Sequence, residues 1–308
     1  MYTKNDLSLS ILIPCYNWDI YALVCSLHKL CQESSNIQKF EILCLEDGST
    51  QLFSNSQVLA LNNVRYEKLA KNIGRAKIRN LIAEKALYNW LLFIDADSKL
   101  INHNFIETYI QIILSYTKRD LVKKVIYYGS TRYSCQKPKE NQKLHWKYGQ
   151  KIESKRKKET FSSHHFIIPK SYFNKHCVRF NKNIETYGYE DVFFILENNL
   201  TPIYIENPLL HLGIKTNEKF IEHTQSALKN LINHRQLHKN YEQTIKILRV
   251  KQNLSKFKLI TILVFLFSIS KAMILKNLYS NYPSIKLFQF YKLGYFLELE
   301  TNNNLLEK

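Results

Sequence analysis

Leu91-Leu92-Phe93-Ile94-Asp95-Ala96-Asp97-Ser98 decides how the first third of the chain is read. A short apolar run closing on two acids at i and i+2 predicts a buried strand with a polar end. The same shape occurs twice upstream. Ser8 to Ile13 is apolar, is stopped by Pro14 and leads to Tyr16-Asn17. Phe40 to Leu45 ends in the turn-forming Glu46-Asp47-Gly48-Ser49. Val64 to Leu69 reads as a further strand, and Trp18 to Cys31 and Arg75 to Trp90 carry helical spacing. Strands alternating with helices predict a parallel sheet covered by helices on both faces. Ligands of such sheets bind beyond the carboxyl ends of the strands. Tyr16-Asn17, Glu46-Asp47 and Asp95-Asp97 all fall at those ends.

These residue types carry a definite chemistry. Two carboxylates just past a buried strand can reach one divalent cation and the ribose of a nucleotide. Mg²⁺ or Mn²⁺ prefers oxygen ligands and commonly bridges to phosphate. An Asp-x-Asp triplet alone also reads as a solvated strand end. Asp47 can accept from the ring N–H of a base, with Gly48 permitting a tight turn beside it; a plain capped turn is the competing reading.

Ser10-Ile11-Leu12-Ile13-Pro14-Cys15-Tyr16-Asn17, Glu46-Asp47-Gly48-Ser49, Asn72-Ile73-Gly74 with Arg79-Asn80, and Phe93-Ile94-Asp95-Ala96-Asp97-Ser98 resemble, in order and spacing, the family 2 glycosyltransferases. The resemblance covers about residues 8 to 115 well and weakens to about 212. It implies the α/β GT-A fold: a Rossmann-like mixed sheet flanked by helices, here with a helical C-terminal appendage. It implies a domain over 1–214, followed by a helical region over 215–308 whose apolar run reads either as core or as membrane-associating. Pro14, Tyr16 and Asp47 would bracket the base, with Asn17 at the same strand end. Asp95 and Ala96 would lie by the ribose, and Asp97 would bind the metal on the diphosphate. Asn72, Gly74 and Arg79 would line the nucleotide pocket, although Arg79 could instead pair with a nearby acid. Glu46 stands where an Asp is commoner, a small change that leaves the chemistry alone.

Tyr187-Gly188-Tyr189-Glu190-Asp191-Val192 is the second anchor. In the resembled family an acidic pair at the start of a helix supplies the catalytic base. An inverting transfer needs a carboxylate to take the acceptor hydroxyl's proton. Asp191 is assigned that role, with Glu190 as helper or acceptor-binding residue; a helix N-terminus also attracts acids through its dipole alone. His211, in Leu209-Leu210-His211-Leu212, matches a position where some relatives complete the metal site. Neutral imidazole suits Mn²⁺, and a core histidine is the competing reading. The roles of His164 and His165 are open.

The remainder of the chain says less. Asn102 to Tyr116 predicts a helix, Val122 to Ser130 a strand, and Lys137 to Thr160 a long basic loop or ragged helix. Within it, Lys151 to Lys158 reads as a lid over the donor, a track for anionic lipid, or a solvated loop. Phe166 to Pro169 and Ile203 to Ile205 predict short strands, and Tyr189 to Asn198 and Asn217 to Val250 helices. Leu259 to Ser270 is a twelve-residue apolar run, too short for a span of about 20 residues. It predicts either a core helix or, given Lys256, Lys258, Lys271 and Lys276 around it, a helix in a membrane interface.

A net charge of +18 across 308 residues favours anionic partners, although an abundance of Lys, Asn, Ile and Tyr also marks AT-rich coding. Six scattered cysteines without CxxC predict reduced thiols, several of them core hydrophobes. A polar start from Met1 to Leu7 predicts a cytoplasmic protein, peripheral on the inner face of the membrane if the apolar run binds there. The expected reaction is inverting, metal-dependent transfer from a nucleotide-sugar donor, UDP foremost, to a glycan or lipid-linked glycan in surface polysaccharide assembly. A basic nucleic-acid-binding protein and a GT-A scaffold without catalysis are the alternatives. Acids clustered at strand ends would repel phosphate without a metal, so nucleic acid is not an expected partner. The absence of GxGxxG excludes dinucleotide oxidoreduction.

Overall fold

The structure is a computed structural model that describes residues 7–155, 161–175, 177–234 and 244–306. It divides into two compact units, 1–134 with 153–185 and 190–213, and 135–152 with 186–189 and 214–308.

The first unit is built on one eight-stranded sheet. Its strands are β1 (Ser8–Cys15), β2 (Lys39–Glu46), β3 (Val64–Lys68), β4 (Trp90–Ile94), β5 (Ser98–Leu100), β6 (Val125–Tyr133), β7 (His165–Pro169) and β8 (Thr201–His211). Their order is β3-β2-β1-β4-β7-β6-β8-β5. β3, β2, β1 and β4 run parallel, so their carboxyl ends share one rim. β7 runs antiparallel to both β4 and β6, β6 parallels β8, and β5 is antiparallel to β8. The mixed, helix-flanked sheet is the arrangement the family resemblance implies.

Successive side chains of a strand point to opposite faces, and here both faces are apolar. Ile11, Ile13, Ile42, Cys44, Leu92 and Ile94 pack on one side with α1 (Tyr21–Glu33) and α3 (Phe105–Ser115). Leu12, Leu43, Leu45, Leu91 and Phe93 pack on the other with α2 (Arg75–Lys85) and α6 (Lys170–Lys175). Cys15, Cys31 and Cys44 are buried free thiols, and burial pushes the Cys15 and Cys31 thiols up to about 12.

Several boundaries differ from the sequence reading, each for a local reason. The helix expected to reach Trp90 ends at Lys85. The N–H groups of Leu87 and Tyr88 donate instead to Glu41 of β2 and Ser10 of β1, drawing the chain into β4. The strand expected from Val122 starts at Val125, because Thr117 and Asp120 form a capping box for α4 (Lys118–Val122). β8 runs far beyond Ile203–Ile205 despite Pro202 and Pro208. Its neighbour β5 pairs only with Leu209 to His211, so most of that edge needs no proline N–H.

The second unit is helical, with α5 (Lys143–Lys151), α8 (Asn217–His234), α9 (Lys246–Lys256), α10 (Ile260–Tyr279) and α11 (Ile285–Leu306). Leu144, Tyr148, Ile221, Phe267, Ile274, Leu278, Phe288 and Tyr291 form its core. The basic stretch expected as a loop or ragged helix is thus partly α5; residues 156–160, and 235–243 of the later helical stretch, lie outside the described residues. α10 is a continuous helix of 20 residues, long and apolar enough by length and composition to cross a membrane. The twelve-residue count stopped at Lys271, but the helix continues through it to Tyr279, with the Lys271 ammonium paired to Glu298 at 2.6 Å. Nor is α10 a core helix, since one face is exposed. α7 (Glu190–Glu197) belongs to the first unit.

Candidate active site

The rim begins where β1 and β2 end together, Cys15 opposite Glu46. Asn17 sits at φ 49, a conformation Asn tolerates. Its Oδ1 accepts from the Thr50 and Gln51 N–H groups at 2.9 Å, and its own N–H donates to Ser49 Oγ at 2.8 Å. Asn17 therefore ties the β1 exit to the β2 turn. Pro14 lies in the β1–β2 ladder, and Tyr16 stands out from it at 48% exposure.

Asp47 is buried, with Oδ1 accepting from the Ile73 N–H at 2.7 Å and Oδ2 from the Gly74 N–H at 3.1 Å. Asn72 Nδ2 donates to the Asp47 carbonyl at 3.1 Å. One carboxylate thus shapes the whole Asn72–Gly74 turn that opens α2, and burial raises its pKa against those two donors. Glu46 points elsewhere. Its carboxylate is buried and accepts from Tyr66 Oη at 2.7 Å and Asn55 Nδ2 at 2.9 Å. The substitution at this position is structural.

Asp95 and Glu190 are joined by two arginines of α2. Arg79, only 2% exposed, reaches Asp95 Oδ1 at 2.7 Å and Glu190 Oε1 at 3.8 Å. Arg75 reaches Glu190 Oε1 at 3.0 Å through Nε and Asp95 Oδ2 at 3.4 Å through Nη2. The acids at the β4 end and the α7 start, remote in sequence, are thereby locked together. Arg79 pairs with an acid, one of the two readings the sequence left open. Arg75 was missed; its signal was its place four residues before Arg79, on the same helix face. Asp191 follows Glu190 in the first turn of α7, half-buried, with Oδ1 accepting from the Val192 N–H at 2.8 Å.

Asp97 and His211 meet, Oδ2 to Nε2 at 3.3 Å. β5 and β8 bring them together by pairing Ser98 with His211. Gly213 passes so close that a Cβ there would lie 2.0 Å from Asp97 Oδ2. Adjacent ligands of an octahedral cation, each at ~2.1 Å, stand ~3 Å apart, so this oxygen and nitrogen fit neighbouring positions on Mg²⁺ or Mn²⁺. Among the described residues no set of three or more His, Cys, Asp or Glu side chains gathers to hold an ion. Ala96, between the two acids, is buried in the core.

His164 and His165 are braces. His164 bonds Ser98 Oγ and Thr131 Oγ1, both at 3.0 Å, and its carbonyl accepts the Asp95 N–H at 2.9 Å. His165 Nε2 lies 3.1 Å from the Ser130 carbonyl and Nδ1 lies 2.7 Å from Tyr109 Oη. Since a carbonyl only accepts, Nε2 carries the proton and the tyrosine donates to Nδ1. Burial lowers their pKa values to about 4 and about 3.

The chain is similar to several known proteins. A curated relative, the teichoic acid poly(glycerol phosphate) polymerase of Staphylococcus epidermidis, is 27% identical over 202 residues, 61% of this chain and 25% of its own. The chain thus spans about a quarter of that relative's length. Among solved structures, S. aureus TarS 1–349 is 17% identical with a TM-score of 0.49, over 97% of this chain and 92% of that one. Its complex with UDP-GlcNAc is 16% identical with a TM-score of 0.48 over the same shares. The sequence model of glycosyl transferase family 2 matches residues 10–177, more than half of the chain and all of the rim from Pro14 to His165. The chain belongs to glycosyl transferase family 2.

Proposed function

We propose that the chain transfers one sugar, with inversion, from a nucleoside-diphosphate sugar to a hydroxyl of a glycan or lipid-linked glycan, in the cytoplasm, during assembly of a cell-surface polymer. Family membership supports the sugar transfer, and the curated relative, named for teichoic acid polymerisation, supports the surface polymer. One observation carries the site. Acids from β4 and α7 are fixed to one another by Arg75 and Arg79 beside the rim where Asp97 meets His211.

Tyr16 offers an exposed ring face for the base, beside Pro14; stacking on an aromatic ring contributes about 1–3 kcal/mol per base. Uridine is the base proposed. Asp47 holds the Asn72–Gly74 turn against the nucleotide and, with two acceptor sites already used, keeps lone pairs for a base N–H. Asp95, pinned through Oδ1 by Arg79, keeps a lone pair on Oδ2, beside Arg75, for a ribose hydroxyl. Asp97 and His211 would hold Mn²⁺ or Mg²⁺ against the diphosphate, neutralising the charge that develops on the leaving group.

The proton of the acceptor hydroxyl passes to the Asp191 carboxylate as its oxygen bonds the anomeric carbon. The nucleoside diphosphate departs from the opposite face with the electrons of the broken bond. Glu190 is a positioning residue: its ion pairs fix the start of α7 and so the carboxylate beside it. The test is a hydrolysis screen over UDP-, GDP- and dTDP-sugars with Mn²⁺ or Mg²⁺. Turnover of at least one donor, lost on chelation with EDTA, is the expected result. Failure to bind or cleave any donor with either metal would refute the reading.

A further inference from the structure

From Gln243 to Leu297 the sequence contains no Asp or Glu but nine Lys or Arg. That stretch contains α9, α10 and most of α11. Phe267, Ile274 and Leu278 of α10 pack with Phe288 and Tyr291 of α11, and Gly294 lets the Phe267 ring lie directly on the α11 backbone. The other face of α10 carries Ile262, Phe265, Ile269 and Met273, spaced i, i+3, i+7 and i+11, which places them in one stripe. Phe265, Ile269 and Met273 are 63%, 65% and 72% exposed. A contiguous apolar stripe of this kind marks an interaction surface. Lys246, Arg249, Lys256, Lys258 and Lys276 are exposed around it.

We propose that α10 lies in the plane of an anionic lipid bilayer, its Ile262–Met273 stripe among the acyl chains and the surrounding cations on the headgroups. Charge decides the occupant. Each basic residue near an anionic membrane surface strengthens binding, whereas a second copy docking through this stripe would bring cations against cations in a stretch with no acid to offset them. Packing decides the orientation. α10 is held along its inner face by α11 and by the Lys271–Glu298 ion pair at 2.6 Å, which suits a helix half-sunk in the interface better than one crossing the hydrocarbon. The inference is independent of the sugar-transfer reading. A catalytically dead protein would bind equally well.

The experiment is co-sedimentation of the full chain with vesicles of equal parts phosphatidylcholine and phosphatidylglycerol, against phosphatidylcholine alone. Two variants are compared: Phe265→Ser/Ile269→Ser/Met273→Ser and Lys256→Gln/Lys258→Gln. Thermal melts serve as the folding control, since all five side chains are exposed. Wild type is expected to pellet with the anionic vesicles and to be released by salt. It is expected to partition at least about tenfold less onto phosphatidylcholine, with a loss of at least about tenfold in each variant. Wild type left in the supernatant, or the folded triple variant pelleting like wild type, would overturn the proposal. So would a stripe-dependent dimer in light scattering without vesicle binding.

Discussion

Arg79 is the most constrained charge of the site, buried against Asp95, Glu190 and the Phe180 ring. Removing it takes from Asp95 its 2.7 Å partner and leaves the half-exposed Arg75 alone between two carboxylates. Arg79→Ala is therefore expected to lose about 3–5 kcal/mol of stability in urea unfolding, the range for breaking a buried pair. Arg75, 43% exposed on the same carboxylates, should cost no more than about 1 kcal/mol when cut to Ala. Equal losses for the two would contradict the geometry. Gly213→Ala forces Asp97 aside, and the Mn²⁺ concentration for half-maximal donor cleavage should rise about 10- to 100-fold, as for lost support of a metal ligand. An unchanged Mn²⁺ requirement would show that Asp97 is not held there. Asp47, Asp95 and Asp97 were legible in sequence because each follows the end of a strand, and Glu190 and Asp191 because they open a helix. Their partners were not. The contact of Arg75 with Glu190 exists only once α2 and α7 are folded side by side, and nothing local in the sequence encodes it.

β7 and its preceding turn make a prediction at the scale of an element. His164 and His165 are buried neutral, with folded pKa values of about 4 and about 3 against 6.5 unfolded. Between those limits the unfolded chain binds protons that the folded chain refuses. Stability is thus fully present above about pH 6.5 and falls as the pH drops toward 4 and then 3. Urea midpoints measured across pH 3.5 to 7 should show that fall, and His165→Gln should make it shallower; a flat wild-type profile would refute the burial of the pair. Strands were the most legible elements, because two-sided burial writes them as short apolar runs between polar ends. Helix ends were less so. α2 stops where Glu41 and Ser10 capture backbone N–H groups from other strands, a tertiary event. α10 was under-read because its apolar run was ended at Lys271, whose charge is met by Glu298 of α11, a partner that exists only in the fold.

At the scale of the molecule, the sequence boundary near residue 214 meets a chain that crosses it. α5 lies early in the sequence but shares its core with α8, α10 and α11, and the Leu144 N–H donates to Asn217 Oδ1 at 2.9 Å. A fragment ending at Gly213 would leave Leu144 and Tyr148 without that core. It is expected to aggregate or to be cut by protease within residues 135–152, and a protease-resistant, monodisperse fragment would contradict the shared core. The sheet and its rim could be read forward from sequence because the strand ends fall in chain order. The helical unit could not, since three separate segments assemble it.

Donor affinity and transfer rate, measured together in wild type, Asp97→Ala and Asp191→Asn with Mn²⁺ present, separate holding the donor from reacting it. Asp191→Asn should bind the nucleotide sugar within about threefold of wild type while transfer falls ~10²- to 10⁴-fold, and Asp97→Ala should lose the Mn²⁺-dependent part of binding. Transfer by Asp191→Asn at the wild-type rate would contradict a proton acceptor at the start of α7.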